Sequence, residues 1–440
     1  MNADPVMQGI ASSHAGLAPR LAGGPAWSRR RELALATLLG RGLPDRRDEN
    51  WKYLDHALIA GRSFAPAPRA AISPAQLASV VLPLAAARRV VLVDGAFQPG
   101  LSDADPGDGI EVDDLSELLV RDPAAALRTL RAPGDDADDR YALLADAFAS
   151  DGVVIRVGAD AAPALPLYLL HVATGIGPGT SHSRVVIEVG MGASVSLVEH
   201  FVTLGAAPSL TNLAAELRLD RGATLAHLRI NETGAQAAQV ETWVTELQTG
   251  SHYRQQLFAL GGRLLRSNLR LSLAGAAAET RLAGLFMVDD QRQVDLYTKV
   301  EHHGARTRTS QDYRGIAAGR GRGAFNGRVV VHATARGADA GQTSRNLLLT
   351  PLAEINTRPQ LEIHTDDVQC RHGATTGTLD PAQIFYLQSR GLDPATARGL
   401  LTYAFCADAI ADLLFPELRD YVEELVVGRL PDRDVIRSLR

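Results

Sequence analysis

Cys370 and His372 stand two apart within residues 361–376, LEIHTDDVQCRHGATT. Side chains two apart on a strand leave the same face of a sheet, so a strand here would set a thiol beside an imidazole. A thiolate and an imidazole suit iron or zinc. Two ligands do not close a four-coordinate site. Either the others come from elsewhere in the fold, or a second subunit supplies them; an inert buried pair is the competing reading. His364 and Asp366 would share the face if the strand ran unbroken, whereas Thr365-Asp366-Asp367 also reads as a turn.

Other chemistry is largely excluded. A nucleotide-binding P-loop needs a lysine directly after a glycine. The two lysines are Lys52, after Asn50-Trp51, and Lys299, after Tyr297-Thr298. Gly319-Arg320-Gly321-Arg322-Gly323 lacks the GxGxxG spacing and a following helix, so a turn between strands is expected there. No HExxH or CxxC occurs. Adjacent His302 and His303 would point to opposite faces of a strand and not share one metal. His200, His227, His252 and His332 read as single strand histidines, facing solvent or hydrogen-bonded.

A net charge of -5 gives no global preference for nucleic acid or anionic membrane, and the two cysteines, Cys370 and Cys406, form no disulfide framework. No apolar run approaches the ~20 residues of a membrane helix. The start, MNADPVMQGIASS, lacks a basic stretch leading into an apolar one. A soluble cytoplasmic protein with no nucleic-acid or membrane partner is expected.

At 440 residues the chain can form two or three domains, or one elongated core with appendages. Residues 25–39 read as a helix with Trp27, Leu33, Leu35, Leu38 and Leu39 on its apolar stripe. Asn50-Trp51-Lys52-Tyr53-Leu54 reads as a cluster pinning the N-terminal segment, or else as a partner contact. Pro66, Pro68 and Pro74 mark a linker, residues 88–93 a short buried strand, and residues 111–149 helices broken at 132–136.

From Gly152 the period becomes that of short strands: 153–157, 167–170, 184–189, 193–202, 215–219, 224–230, 240–248, 269–273, 284–288 and 328–332. Turns recur at Gly190-Met191-Gly192, Gly222-Ala223, Gly275-Ala276 and Gly304-Ala305. Many short strands fit a sandwich or a β-helix, and the length tilts towards a stacked solenoid. Helix returns after Asp380-Pro381 and again after Asp393-Pro394, each an N-cap followed by proline. Three parts are expected: a mostly helical 1–150 with a small β insert, a β core over 151–377, and a helical 378–440.

Several spaced runs are familiar together. Residues 362–377 through Cys370-Arg371-His372-Gly373, and Gln383-Ile384-Phe385-Tyr386-Leu387-Gln388-Ser389-Arg390-Gly391, resemble the C-terminal signature of the SufB/SufD family. These are scaffold components of SUF iron–sulfur cluster assembly. Gly323-Ala324-Phe325-Asn326-Gly327-Arg328 and Gln342-Thr343-Ser344-Arg345-Asn346 match it as well, so the resemblance spans about 151–425. Glu49-Asn50-Trp51-Lys52-Tyr53 and the shortage of cysteines look like the SufD branch.

The resemblance implies a mainly β fold, with a right-handed parallel β-helix core flanked by N-terminal and C-terminal helical domains. It implies a non-catalytic scaffold subunit that pairs with SufB and docks two copies of the ATPase SufC, which hydrolyses the ATP. Carried over, Cys370 and His372 fall at the interface with SufB, where they would help hold a transient iron–sulfur cluster or iron. The helix around Tyr386, Arg390 and Gly391 would dock SufC, although Tyr386 also reads as a core anchor of its helix. A flavin on the complex and a homodimer formed without SufB stay open. The rival classes are a β-helix carbohydrate-active enzyme and a stand-alone metal-binding protein. Exported polysaccharide enzymes carry carboxylate clusters, and Asp289-Asp290 is the one obvious acidic pair in the middle strands.

Overall fold

The computed structural model describes residues 5–21, 24–62, 64–67, 70–103, 107–131, 139–148, 151–177, 179–430 and 433–438. Pro68 and the break expected at 132–136 lie outside them.

Short strands separated by glycine turns wind into a parallel β-solenoid of about eight coils. From Gly152–Val157 onward, successive strands go alternately to two facing sheets. Within a sheet each strand pairs in parallel with the equivalent strand one coil on. Gln293 lies beside Arg322 and Glu279 beside Arg308, a step of one coil. Leucine, valine, isoleucine and aromatic side chains from alternate positions fill the space between the sheets, among them Val153, Leu197, Leu213, Leu271, Phe286 and Phe325. Coils approach closely at the turns. A Cβ on Gly304 would stand 2.2 Å from the Gly275 carbonyl oxygen, and one on Gly275 would stand 1.9 Å from the Thr249 nitrogen. That approach accounts for glycine at Gly275 and Gly304, whereas Gly222 has open space and a φ of +69°.

Several strands were not visible in sequence. His252–Ala259, Gln293–His302, Arg308–Ala317 and Ala338–Leu348 are strands whose inner faces carry polar side chains. Buried polar side chains of these strands pair across the interior or with the next coil: Thr298 donates to Gln311 at 2.8 Å, and Asn346 to the Thr375 carbonyl at 3.2 Å. The clearest case lies in the interior. Arg229 donates to Glu199 at 2.5 Å from Nε and to both Glu241 oxygens at 2.9 and 2.8 Å, while His171 meets Glu199 at 3.1 Å.

The flanking segments close the sheets. Arg88–Val93 joins one sheet in parallel with Leu167–Ala173, and Ile110–Asp114, expected as helix, pairs antiparallel with Gly152–Val157. Helices at Leu115–Arg121, Pro123–Thr129 and Arg140–Phe148 follow it. Trp51 is fully buried, stacked on Tyr141 at 5.3 Å with the Arg266 guanidinium 4.2 Å over its ring. That run therefore pins the N-terminal segment to the outer face of the sheet.

The N-terminal helix spans Gly24–Arg41, but its buried face differs from the stripe read from sequence. Leu33 and Leu39 are exposed, while Arg30 and Arg31 are buried. Arg30 pairs with Asp146 at 3.2 Å, and both arginines lie over Trp27. Trp27 and Leu38 of that stripe are buried as expected, and the buried Asp146 carboxylate brings Arg30 in beside them. At the other end, Pro394–Ala411 and Arg419–Arg429 cover the outer face of the second sheet through Ile410, Val422 and Val426.

Candidate functional site

The solenoid ends in two strands, Glu354–Ile363 in one sheet and Val368–Gly377 in the other. Each has a paired neighbour on one side only, so each is the edge of its sheet. The polar run 364–367 turns between them, and the Val368 nitrogen donates to the Asp366 carbonyl at 3.1 Å. This resolves the alternative left open above. His364 and Asp366 do not continue the Cys370 strand; His364 instead meets Glu362 at 2.9 Å.

Cys370 lies beside Ala340 and His372 beside Gln342 in the register of the last pair. Cys370 is half-buried against the apolar core, whereas His372 is exposed. Both belong to the inward-facing row of the final coil, at the mouth of the space between the sheets. Beneath them the Gln342 amide is buried, and neither its nitrogen nor its oxygen makes a hydrogen bond. A buried amide left unpaired costs about 1–3 kcal/mol. The mouth therefore has polar capacity that this chain does not use. Among the described residues, Cys370 and His372 belong to no group of three metal-ligand side chains with donor atoms within 4.8 Å.

Burial pushes the Cys370 thiol upward, and the Asp339 carboxylate adds to the shift. The thiol is therefore protonated at neutral pH until a metal or a cationic neighbour draws the proton off. Cys406 differs. It is buried in the C-terminal helical core, donates to the Thr402 carbonyl at 3.4 Å, and is pushed up to about 12 by burial. An alkylating reagent at pH 8 should thus modify one thiol in the folded chain, Cys370, and both after denaturation. Its rate should keep rising above pH 8.5, past the ordinary cysteine midpoint. Mass spectrometry of the digested protein checks both outcomes.

The neighbouring helix, Pro381–Ser389, is capped by Asp380, which accepts from the Ala382 nitrogen at 2.8 Å. It has no buried residue, and Phe385 and Tyr386 are 71% and 57% exposed. Tyr386 is therefore not a core anchor. Its hydroxyl accepts from Arg390 at 3.2 Å, and that guanidinium sits 5.2 Å over the ring. Gly391, at φ +92°, ends the helix in the left-handed region that favours glycine. Tyr386, Arg390 and Gly391 thus lie together on an exposed helix end, separate from the Cys370 strand.

A family profile for the SUF system of FeS cluster assembly, SufBD core domain, matches residues 171–405. The chain is 33% identical over 403 residues to the iron-sulfur cluster assembly protein SufD of Escherichia coli K12, covering 90% of this chain and 92% of that one. This chain belongs to the SufB/SufD family. Within it the chain is SufD-like. An iron-sulfur cluster assembly SufBD family protein of Synechocystis is 27% identical over 406 residues, with 90% and 89% of the two chains covered. The chloroplastic protein ABCI7 of Arabidopsis thaliana is 29% identical over 416 residues, with 91% and 86% covered. The SufB/SufD match takes in the solenoid from Leu167–Ala173 onward, the Cys370 strand and most of the helix that carries Cys406. No described helix is long and apolar enough to cross a membrane.

Proposed function

We propose that this SufB/SufD-family chain is the SufD-type scaffold subunit of a cytoplasmic SUF complex. Its open solenoid end pairs with a SufB subunit, and Cys370 and His372 supply this chain's share of the ligands to a nascent iron–sulfur cluster or to iron. The observation that carries the reading is the terminal coil. Two ten-residue edge strands, one per sheet, leave their outer backbone groups unpaired around a half-open apolar mouth. Long exposed edges are templates for another strand, and a paralogue with the same solenoid presents a matching pair. The thiol and imidazole at that mouth are half a coordination shell, and the partner supplies the remainder.

The exposed Phe385 and Tyr386, with Arg390 and Gly391, form the docking surface for the ATPase SufC, of which the complex holds two copies. ATP hydrolysis belongs to SufC, and this chain transmits the resulting motion through its C-terminal helices to the pairing face. Cluster atoms are cargo here, held by the thiolate and an imidazole nitrogen.

Co-expression with candidate SufB and SufC subunits tests the assembly. Wild-type chain should recover both, and Phe385→Asp with Tyr386→Asp should lose the ATPase while retaining SufB. Because neither side chain is buried, the thermal midpoint should move little. Recovery of neither subunit by the wild-type chain, as a monomer or a homodimer, would favour a stand-alone metal-binding protein.

A further inference from the structure

One corner of the solenoid carries a row of histidines that the function proposed above does not use. His303, His332 and His364 follow the ends of three successive strands of one sheet. The His332 nitrogen donates to the His302 carbonyl at 3.0 Å, and the His364 nitrogen to the Val331 carbonyl at 2.9 Å. These bonds set the three residues in register, one per coil. The His303 and His332 rings stack with centroids 4.1 Å apart and planes 15° apart, and His364 follows with its centroid 6.3 Å from that of His332. Glu301, two residues before His303, turns to the same side.

Nε2 of His332 is buried, makes no hydrogen bond, and lies 3.6 Å from Oε1 of Glu301. The other carboxylate oxygen of Glu301 is held by Lys299 Nζ at 3.2 Å. The donor atoms of Glu301, His303 and His332 all lie within 4.8 Å of one another. Two donors bound to one tetrahedral ion stand about 3.4 Å apart. All three side chains are only partly buried, and the two stacked rings must turn out of parallel for their nitrogens to converge on one ion. His302 takes no part, because its ring points inward and bonds Thr307 and Thr309. The His332 ring is thus held between a carboxylate and another imidazole, and its Nε2 makes no hydrogen bond.

We propose that Glu301, His303 and His332 bind a divalent transition-metal ion of borderline softness, such as Fe2+, Co2+ or Zn2+. Two imidazoles and one carboxylate select that class over Mg2+ and Ca2+, which take oxygen ligands. Lys299 leaves Oε1 available and keeps the second oxygen occupied, so Glu301 acts as a one-atom ligand. His364, with Glu362, stands next along the row on the terminal coil, whose other strand carries Cys370. The site stands on its own geometry, whatever the pairing face does.

The test uses the full chain, free of any histidine tag, with Co2+ as probe in equilibrium dialysis and visible absorption. Wild-type chain should take up one Co2+ at this site with a ligand-field spectrum. His303→Ala with His332→Ala should weaken that uptake at least about tenfold. Cys370→Ala with His372→Ala should retain it, which separates this site from the pairing face. Glu301→Gln, nearly isosteric, should weaken uptake without disturbing the fold and serves if the double histidine variant is unstable. Mg2+ in excess should not displace the probe. Co2+ uptake unchanged in both the Glu301 and the histidine variants would overturn the proposal, as would no uptake by the wild-type chain at large excess.

Discussion

Arg229→Met should lower the stability of the folded chain by about 3–5 kcal/mol at pH 7. Arg229 is buried and bridges Glu199 on its own sheet to Glu241 on the facing sheet. Burial alone would lower its basicity, and the two carboxylates overcome that and raise it. Burial likewise opposes ionisation of Glu199, and Arg229 with the His171 and His227 rings holds it well below the ordinary carboxylate range.

Without the guanidinium, two buried carboxylates keep only the His171, Gln239 and Ser267 side chains as hydrogen-bond partners, and no arginine between them. The sign with pH follows from linkage. In the wild-type chain the folded Glu199 titrates below its unfolded value. Its contribution is present above about pH 4.3 and is lost as pH falls. In the variant, burial pushes Glu199 above its unfolded value, so the folded form is favoured at acid pH and weakens as pH rises. The gap between the two proteins should therefore widen from pH 4 to pH 7, as denaturant midpoints across that range will show. An equal gap at both pH values would mean that the carboxylates are hydrated in the folded chain.

Proline in the terminal strand should abolish pairing with a SufB-type partner. Ala374 and Thr375 lie in the edge strand Val368–Gly377, opposite Ser344 and Arg345. Successive backbone N–H groups of a strand point to opposite sides. One of Ala374→Pro and Thr375→Pro therefore removes a donor that faces outward, and the other removes one that holds the last coil to its neighbour. The first should leave the melting temperature close to that of the wild-type chain and still reduce recovery of the partner at least about tenfold. The second should lower stability as well. If both variants keep native melting behaviour and recover the partner as the wild-type chain does, the pairing face lies elsewhere.

Much of this architecture is legible in the residues. The apolar strands at 153–157, 184–189 and 269–273, the glycine turns, and the Asp-Pro starts of the C-terminal helices all stand where their chemistry requires. Three things are not. Leu33 and Leu39 read as core and face solvent, because Asp146, over a hundred residues away, draws Arg30 inward. The polar strands escape notice because their partners lie on other strands, as Gln311 does for Thr298 and Thr375 for Asn346. The histidine row escapes for the same reason. His302-His303 is correctly read as unable to share a metal as a pair, but the partner of His303 is His332 in the next coil. The spacing of one coil between them is the signal that a register-aware reading would use. Cys370 and His372 were visible as a pair, and the structure adds the open mouth and the unpaired Gln342 amide beside them.

The most direct test of the shared site is the iron and acid-labile sulfide content of the purified complex with SufB and SufC after anaerobic assembly. The wild-type complex should retain both, and a complex of equal composition carrying Cys370→Ala and His372→Ala should lose most of each. Equal iron and sulfide in the two complexes would contradict a role for this chain as half of the cluster site.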